Sequence, residues 1–400
     1  MVPVTASVAL VRSPLAAAYD FGTGHPMRAA RAELAIELAE ALGVLQRPTW
    51  RQVEAEPADD EQLRLVHDEV YIDVVRSVDR APAWVLANYG LGTEDTPVFE
   101  GIHEAASAVV GGTLAACQEV WSGRSVHAVS LVGGLHHAMR DAASGFCVYN
   151  DAAIGIAELL RAGCARVAYV DLDAHHGDGV EAAFASDPRV LTISLHQDGR
   201  TIFPGTGASS DIGHVGAEGY AVNVPLPLGT DDSGWIRAFS GLVPVLVREF
   251  APDVIVTQCG CDAHRNDPLT DLRVSVEGFA TAYRLMHELA HEVCDGRWVV
   301  VGGGGYDLVF AVPRTWACLL AEISGEPLPA DVMLPESWRD VAARIGGRAA
   351  PSRVGDLDRS PVWQPWDAGD GDPDDLLDRS VAATRHAVLP LHGLDPFYDR

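Results

Sequence analysis

The sequence has little positive charge, few cysteines and no long apolar run. Its 29 basic residues, all of them arginine, face 56 acidic residues, which gives a formal net charge of −27. Such a surface repels phosphate backbones and anionic lipid headgroups, so we expect no direct binding to nucleic acid or to membranes. No stretch reaches the roughly 18 to 20 apolar residues that a membrane span needs, and the first twenty residues lack a basic leader. We therefore expect a cytoplasmic protein.

The seven cysteines are sparse and do not show zinc-finger spacing, which is typical of a reducing compartment. Cys259 and Cys261 form the one closely spaced pair. They lie in an apolar, strand-like run and lack a second cysteine pair, so the sequence disfavours a metal site there.

Apolar residues make up 48% of the sequence, enough to bury a large core. Short β-branched runs alternate with helix-like segments, which is typical of a mostly parallel sheet with helices on both faces. The runs cover residues 126–132, 167–170, 190–195, 254–257 and 298–301. We predict an α/β fold with a single open, mostly parallel sheet, and a ligand site at the carboxyl ends of its strands.

Four of these runs lead into polar residues beside glycine. The segments that follow them are GGLHH at 133–137, DLDAHHGDG at 171–179, CGCD at 259–262 and GGGGY at 302–306. Asp173 and His175 are two residues apart, so in an extended segment their side chains leave the same side and can hold one metal ion. Asp262 would supply a third ligand, and three protein ligands leave coordination open for water or substrate.

The adjacent His136 and His137 supply groups that titrate near neutral pH, as proton transfer requires. Two further carboxylates, Asp171 and Asp178, flank the metal motif and could each accept the Nδ1 hydrogen of one imidazole. Tyr306 follows four glycines that allow the backbone to approach a ligand, and its phenol suits a donor to a developing oxyanion. No Lys-Ser or Lys-Thr follows these glycines, which disfavours a phosphate-binding loop.

Together with ASGFC at 143–147 and FPGTG at 203–207, these motifs resemble the histone deacetylase family, in the family's order and over roughly residues 19–325. Three further segments, 19–27, 89–97 and 259–264, are similar to those of the bacterial acetoin-utilisation deacetylases. The resemblance implies the arginase/deacetylase fold and hydrolysis of the amide bond of N-ε-acetyl-lysine in proteins, including metabolic enzymes such as acetyl-CoA synthetase. It also implies Zn²⁺ as the metal, with Fe²⁺ as an alternative.

Roles for individual residues follow from the same resemblance. The zinc ligands would be Asp173, His175 and Asp262. Tyr306 would be the oxyanion donor and His137 the main general base and acid, with His136 as its electrostatic partner and with Asp171 and Asp178 behind the imidazoles. Substrate would contact Asp95 at the rim, Phe146 and Phe203 along a narrow tunnel, and Gly145, Gly304 and Leu269. One K⁺ would lie near Asp171, Asp173, His175, Ser194 and Leu195, and a second near Phe184, Asp187, Val190 and Tyr220.

Beyond about residue 325 the strand and helix pattern weakens. We assign residues 1–325 to the deacetylase catalytic domain and 326–400 to an extension packed on it, with an acidic loop over 367–378 and a helix over 377–389. Arg31 matches the arginine that lines an internal channel in the family. Alternatively, Arg31 is an ordinary residue on the surface of a helix. Asp307 stands where eukaryotic members usually have asparagine, and we expect it to add negative charge near the rim.

Three other functions fit part of the pattern. Arginase-like ureohydrolases share the fold but need a D-x-H-x-D motif for two manganese ions, whereas residue 177 is glycine. An acetylpolyamine or other small acylamine amidohydrolase would use the same site behind an entrance narrowed by an inserted loop, and no long insertion is obvious. A non-catalytic acyl-lysine-binding protein would keep the fold, yet every expected chemical group is present. The sequence leaves the oligomeric state open.

Overall fold

The computed structural model describes residues 7–356, 361–366 and 371–397, and it centres on one eight-stranded sheet. The strands are β1 Val8–Arg12, β2 Trp50–Glu54, β3 His127–Ser130, β4 Val167–Asp171, β5 Val190–Gln197, β6 Ala221–Leu226, β7 Val254–Gln258 and β8 Trp298–Val301. Their order is β2-β1-β3-β8-β7-β4-β5-β6, and each neighbouring pair is parallel. The prediction of a single open, parallel sheet is confirmed.

Helices cover both faces of this sheet. They are α1 Ala30–Ala41, α2 Asp60–Leu63, α3 Glu69–Arg76, α4 Ala83–Asn88, α5 Ile102–Trp121, α6 Asp151–Arg161, α7 Asp178–Phe184, α8 Asp232–Phe250, α9 Val276–Cys294, α10 Val312–Ile323, α11 Glu336–Gly346 and α12 Leu376–Val388, with 3₁₀ turns at Pro14–Ala18 and Leu389–His392. Alternate residues of a strand point to opposite faces. Ala168 and Val170 of β4 accordingly pack with α1 and α8 to α10, whereas Val167 and Tyr169 pack with α5 to α7.

The five apolar runs of the sequence correspond to β3, β4, β5, β7 and β8. The other three strands were not among the predicted runs. Residues of β2, at one edge of the sheet, are all at least partly exposed, so this strand carries no apolar run. Strand β6 contains Asn223 and Pro225, which interrupt its apolar pattern, and proline is tolerated there because β6 is the opposite edge strand.

The described parts of residues 326–400 pack onto the same sheet. Trp338, Trp366 and Val381 lie in the core that also holds α8 and α9. The predicted helix over 377–389 is confirmed as α12. Within the predicted acidic loop, residues 367–370 lie outside the described residues and 371–375 are exposed. Asp378 is the exception, because it is buried in α12 and pairs with Arg237 at 2.7 Å.

No helix in the described part of the chain combines the length and apolar character needed to cross a membrane.

Candidate metal centre and active site

The four polar motifs meet at one edge of the sheet. Strands β3, β8, β7 and β4 are consecutive neighbours, and each motif begins at or just after the carboxyl end of one of them. Because parallel strands end on the same side, the motifs lie side by side in space although they are spread over more than 170 residues of sequence. This is the edge at which ligands bind in open α/β sheets.

Asp173, His175 and Asp262 form a buried cluster whose donor atoms all lie within 4.8 Å of one another. His175 Nδ1 is 3.2 Å from Asp173 Oδ1 and 2.8 Å from Asp262 Oδ2. Tetrahedral zinc with bonds of about 2.0–2.2 Å holds its donors roughly 3.3 Å apart. Two carboxylates and one imidazole at this spacing fit Zn²⁺ or Fe²⁺.

Neighbouring groups hold the two carboxylates in place. Asp173 Oδ2 accepts hydrogen bonds from the Gln258 amide and the Gly304 N–H, both at 2.7 Å. Asp262 Oδ1 accepts one from the Ala174 N–H at 2.7 Å. A Cβ at Gly304 would collide with the oxygens of both carboxylates. The Gly304 position, assigned to substrate binding from the sequence, therefore also forms a wall of the metal cluster.

The two histidines of the GGLHH motif are oriented by separate carboxylates. His136 Nδ1 lies 2.7 Å from Asp171 and His137 Nδ1 lies 2.7 Å from Asp178. An ionised carboxylate only accepts, so each Nδ1 carries the hydrogen. The two Nε2 atoms lie 3.0 Å apart, and both rings are buried.

The surroundings of the two imidazoles shift their pKa values in opposite directions. Burial lowers the pKa of His136, but the carboxylates of Asp171 and Asp173 outweigh it and raise the pKa to about 9. Burial lowers the pKa of His137 to about 4, and the adjacent charge of His136 adds to the effect. His137 is therefore the ring that is neutral near pH 7, with an Nε2 lone pair that can accept a proton.

Tyr306 lies at the mouth of this site with its backbone anchored. Its N–H donates to Asp267 at 2.8 Å, and the Arg31 guanidinium lies 5.7 Å from the centre of its ring. Burial and then the charge of Asp262 raise the pKa of the phenol well above its usual value. The hydroxyl therefore stays protonated and can donate a hydrogen bond.

Aromatic rings surround the approach to the imidazoles. The Phe203 ring lies 5.0 Å from that of His137, and the Phe146 ring lies 5.7 Å from that of Tyr306. Gly145 adopts a positive φ of 50°, and a Cβ there would come within 2.5 Å of His137 and 2.7 Å of Phe203. A side chain at position 145 would therefore displace one of these two rings.

The two remaining predicted substrate contacts, Asp95 and Leu269, are exposed. The exposed Asp95 is held through its carbonyl by His25 Nε2 at 3.2 Å, and the His25 ring packs on Phe146 at 4.6 Å. Leu269 is 36% exposed and its N–H donates to Asp267, the carboxylate that also holds Tyr306. Asp95 is thus linked to Phe146 through His25, and Leu269 is linked to Tyr306 through Asp267.

The two predicted potassium sets lie toward different ends of β5. Asp171 pairs in register with Ser194, which places the first set beside the metal cluster. In the second set, backbone hydrogen bonds link Phe184 to Asp187 at 2.9 Å and Asp187 to Val190 at 3.1 Å. The Tyr220 carbonyl of that set accepts a hydrogen bond from β5.

Arg31 is not a helix-surface residue. It is 7% exposed, and its guanidinium donates to the carbonyls of Gly303 and Gly305 at 2.8 Å each. It also lines a cavity of about 290 Å³. Of the two interpretations of this arginine, the structure supports the internal one.

The expectation that Asp307 adds charge near the rim is wrong. Its side chain is 3% exposed, pairs with Arg348 and accepts hydrogen bonds from the N–H groups of Val309 and Phe310. The turn after Tyr306 directs this carboxylate inward, where Arg348 neutralises its charge. Its hydrogen bonds to Val309 and Phe310 hold the backbone that leads into α10.

Position 177 has no space for the second carboxylate of a two-manganese site, because a Cβ on Gly177 would collide with Asp171. Both Cys259 and Cys261 are buried and free, and neither belongs to a metal-binding group found among the described residues.

Several residues that support the site were not predicted from the sequence. Gln258, which holds Asp173, is the last residue of β7, so the strand-end rule could have identified it. Asp151 accepts the N–H groups of Gly134 at 2.9 Å and Leu135 at 2.7 Å, which positions the histidine pair. Asp267 lies in a loop without a distinguishing motif.

Comparisons with known proteins agree with this geometry. A family model described as the histone deacetylase domain matches residues 25–323. The acetoin utilization protein AcuC of Bacillus subtilis (strain 168) is 42% identical over 348 residues, which cover 83% of this chain and 89% of that protein. AcuC of Staphylococcus xylosus is 34% identical over 325 residues, covering 80% and 83%. The crystal structure of an HDAC homolog from Aquifex aeolicus has a TM-score of 0.81 at 26% identity and covers 94% of this chain and 99% of that one.

Proposed function

Because the chain belongs to the histone deacetylase family of hydrolases, we propose that it removes the acetyl group from N-ε-acetyl-lysine in proteins in a zinc-dependent reaction. The observation that supports this most directly is the buried pair His136 and His137, each oriented by its own carboxylate, beside the Asp173, His175 and Asp262 cluster. Amide hydrolysis needs both an electrophilic centre and a group that accepts and then returns a proton.

Asp173, His175 and Asp262 would hold the metal ion. When bound, the ion supplies a Lewis acid that polarises the acetyl carbonyl and makes water more acidic. His137 Nε2 accepts a proton from the attacking water and later delivers it to the departing lysine amine, while Asp178 keeps its Nδ1 hydrogen in place. The Tyr306 hydroxyl donates a hydrogen bond to the carbonyl oxygen as negative charge develops on it.

The aromatic rings beside the site support a substrate with a long aliphatic stem. Phe146 and Phe203 would pack against the methylene stem of lysine, and Gly145 leaves the width that the stem needs. Asp95, exposed at the mouth, would accept hydrogen bonds from the substrate backbone. The strongly acidic surface favours lysine-rich, cationic partners.

Metabolic enzymes in the cytoplasm, such as acetyl-CoA synthetase, are our proposed protein substrates, in keeping with the similarity to AcuC of Bacillus subtilis. We also propose K⁺ at the two sets of residues along β5, as a structural or regulatory ion. Residues 1–325 would form the catalytic domain and 326–400 an extension that packs on it.

An acyl-lysine peptide panel on protein loaded with a defined metal tests this function. The panel contains acetyl and longer acyl peptides, acetylated acetyl-CoA synthetase and acetylspermidine, and Asp173→Asn serves as the blank. The sequence contains no lysine, so every acetyl-lysine signal comes from the substrate. We expect acetate release from the acetyl-lysine substrates with zinc or iron(II) and only background with Asp173→Asn. Preference for acetylspermidine would favour the small-amine alternative, and no hydrolysis of any substrate would contradict the proposal.

A further inference from the structure

A second group of three donor side chains lies at the amino end of the sheet, opposite the active site. His127 is the first residue of β3, and His287 and His291 lie one turn apart on α9. Their ring nitrogens lie within 4.8 Å of one another. His287 Nε2 is 3.1 Å from His127 Nε2 and 3.2 Å from His291 Nε2, close to the donor spacing of a tetrahedral metal site.

The three rings are arranged almost symmetrically. Their centroids are 4.8 Å, 5.0 Å and 5.0 Å apart, so each ring is nearly equidistant from the other two. Hydrophobic packing alone does not require three ring nitrogens to lie so close together, since imidazoles that pack as core residues usually direct at least one nitrogen to a backbone group or to water.

Glu322 of α10 sets the orientation of the central ring. Its carboxylate lies 3.0 Å from His287 Nδ1 and is 7% exposed. A carboxylate only accepts, so His287 carries its hydrogen on Nδ1 and directs a lone pair from Nε2 toward the other two rings. Metal-binding histidines are commonly oriented by a carboxylate in this way.

Packing holds the other two rings in place. Gly296 has a positive φ of 78°, and a Cβ there would lie within 2.7 Å of the His291 ring, so glycine makes room for that ring. The Trp298 indole stacks against His287 at 5.7 Å and meets His127 edge-on at 5.8 Å. His127 is buried, His287 half-buried and His291 exposed, so one side of the cluster faces solvent.

We propose that His127, His287 and His291 form a second binding site for a divalent transition-metal ion, with Zn²⁺ as the ion best suited to three imidazoles and a solvent-facing fourth position. Neutral imidazoles without carboxylate ligands disfavour Mg²⁺ and Ca²⁺. The site joins the start of β3 to the last turns of α9, so the bound ion cross-links two elements that are 160 residues apart in sequence. It lies at the opposite end of the strands from the active site and contains none of its residues.

Zinc binding to untagged, full-length protein tests this site. Equilibrium dialysis against buffered Zn²⁺, with metal counted by mass spectrometry, gives the number of equivalents and the affinity of each. We expect two equivalents per chain for the wild type and one for Asp173→Asn, which isolates the histidine cluster. In that background His287→Ala with His291→Ala should weaken the remaining equivalent by more than about 100-fold, and Glu322→Gln should weaken it by about 10- to 100-fold.

Alanine favours helix, so the substitutions on α9 leave the fold intact, which circular dichroism checks. His214→Ala, which removes an exposed histidine elsewhere, is the matched control and should retain the wild-type stoichiometry. If Asp173→Asn binds no more zinc than the same protein lacking His287 and His291, the second site does not exist. That outcome leaves the proposed deacetylase activity untouched, because activity is measured on the wild type.

Discussion

Each end of the sheet holds a cluster of three side chains that could bind a metal ion, but the two clusters differ in the elements that supply them and in their burial. At the carboxyl end, Asp173, His175 and Asp262 are all buried and come from loops that follow strands. At the amino end, the three imidazoles come from a strand and a helix, and one of them is exposed. Loops at strand ends can bring charged groups together deep in the protein, whereas regular elements supply neutral groups near the surface.

The same residue type behaves differently at the two ends. Burial lowers the pKa of His127, and the neighbouring His287 and His291 lower it further, to about 3. His136 is equally buried, but the carboxylates around it raise its pKa to about 9. The comparison teaches that the charge of the neighbours, and not burial by itself, decides whether a histidine is cationic at neutral pH.

The largest expected effect is at the carboxyl end. His137→Ala removes the proton acceptor, so we expect kcat to fall by about 10²- to 10⁴-fold with little change in bound metal. Steady-state kinetics on an acetyl-lysine peptide and metal counting measure the two quantities. His214→Ala is the control for loss of a histidine far from either cluster. A fall of less than tenfold would rule out His137 as the general base.

Tyr306→Phe removes one hydrogen-bond donor while retaining the ring. We expect a loss of about 10²- to 10³-fold in kcat with KM nearly unchanged, because the hydroxyl acts on charge that appears only in the transition state. Separate determination of kcat and KM checks this. Equal activity of the two proteins would show that the phenol takes no part in the reaction.

At each end of the sheet a glycine lies against a histidine ring. Substituting these two glycines gives a matched pair of variants. Gly145→Ala would press on His137, and we expect kcat/KM to fall about 10²-fold because small displacements of a catalytic group are costly. Gly296→Ala would press on His291 instead and should weaken only the second zinc equivalent. Kinetics and zinc binding on both variants distinguish the two ends, and a loss of activity in both variants would mean that the ends are coupled.

His67, which belongs to neither cluster, shows the effect of burial on the pKa of a histidine. Burial lowers the pKa of His67 to about 4, below the 6.5 of an exposed histidine, so the unfolded state binds more protons between these pH values. Stability should therefore fall as pH drops from 6.5 toward 4, with about 2 kcal/mol lost to this group at pH 5. Urea unfolding at pH 7 and pH 5 should show a smaller loss for His67→Gln than for wild type. Identical losses would contradict the assignment.

The sheet and the three residues of the carboxyl-end cluster could be predicted from the sequence because the ends of the strands carry short, recognisable motifs. Asp173 and His175 are two residues apart, and Asp262 follows a clear apolar run. Edge strand β2 escaped prediction because its exposed residues show no apolar run. Asp307 was misplaced at the rim because the direction of a side chain after a glycine-rich turn depends on backbone geometry that residue spacing does not encode.

The amino-end cluster shows the other limit of sequence reasoning. His287 and His291, four apart on a helix, are a weak signal by themselves. The third ring, His127, comes from a strand 160 residues earlier, and Glu322 comes from yet another helix. Only the packing of α9 and α10 against the sheet brings these residues together.

The ion pair between Asp307 and Arg348 affects how far the chain can be truncated. The family match stops at residue 323, yet the arginine that neutralises the carboxylate next to Tyr306 lies 25 residues farther on. A fragment trimmed to the match would leave the Asp307 carboxylate without its arginine partner, and we expect it to be less soluble or less active than the full chain. We therefore expect the shortest fragment that folds on its own to extend beyond the end of the family match.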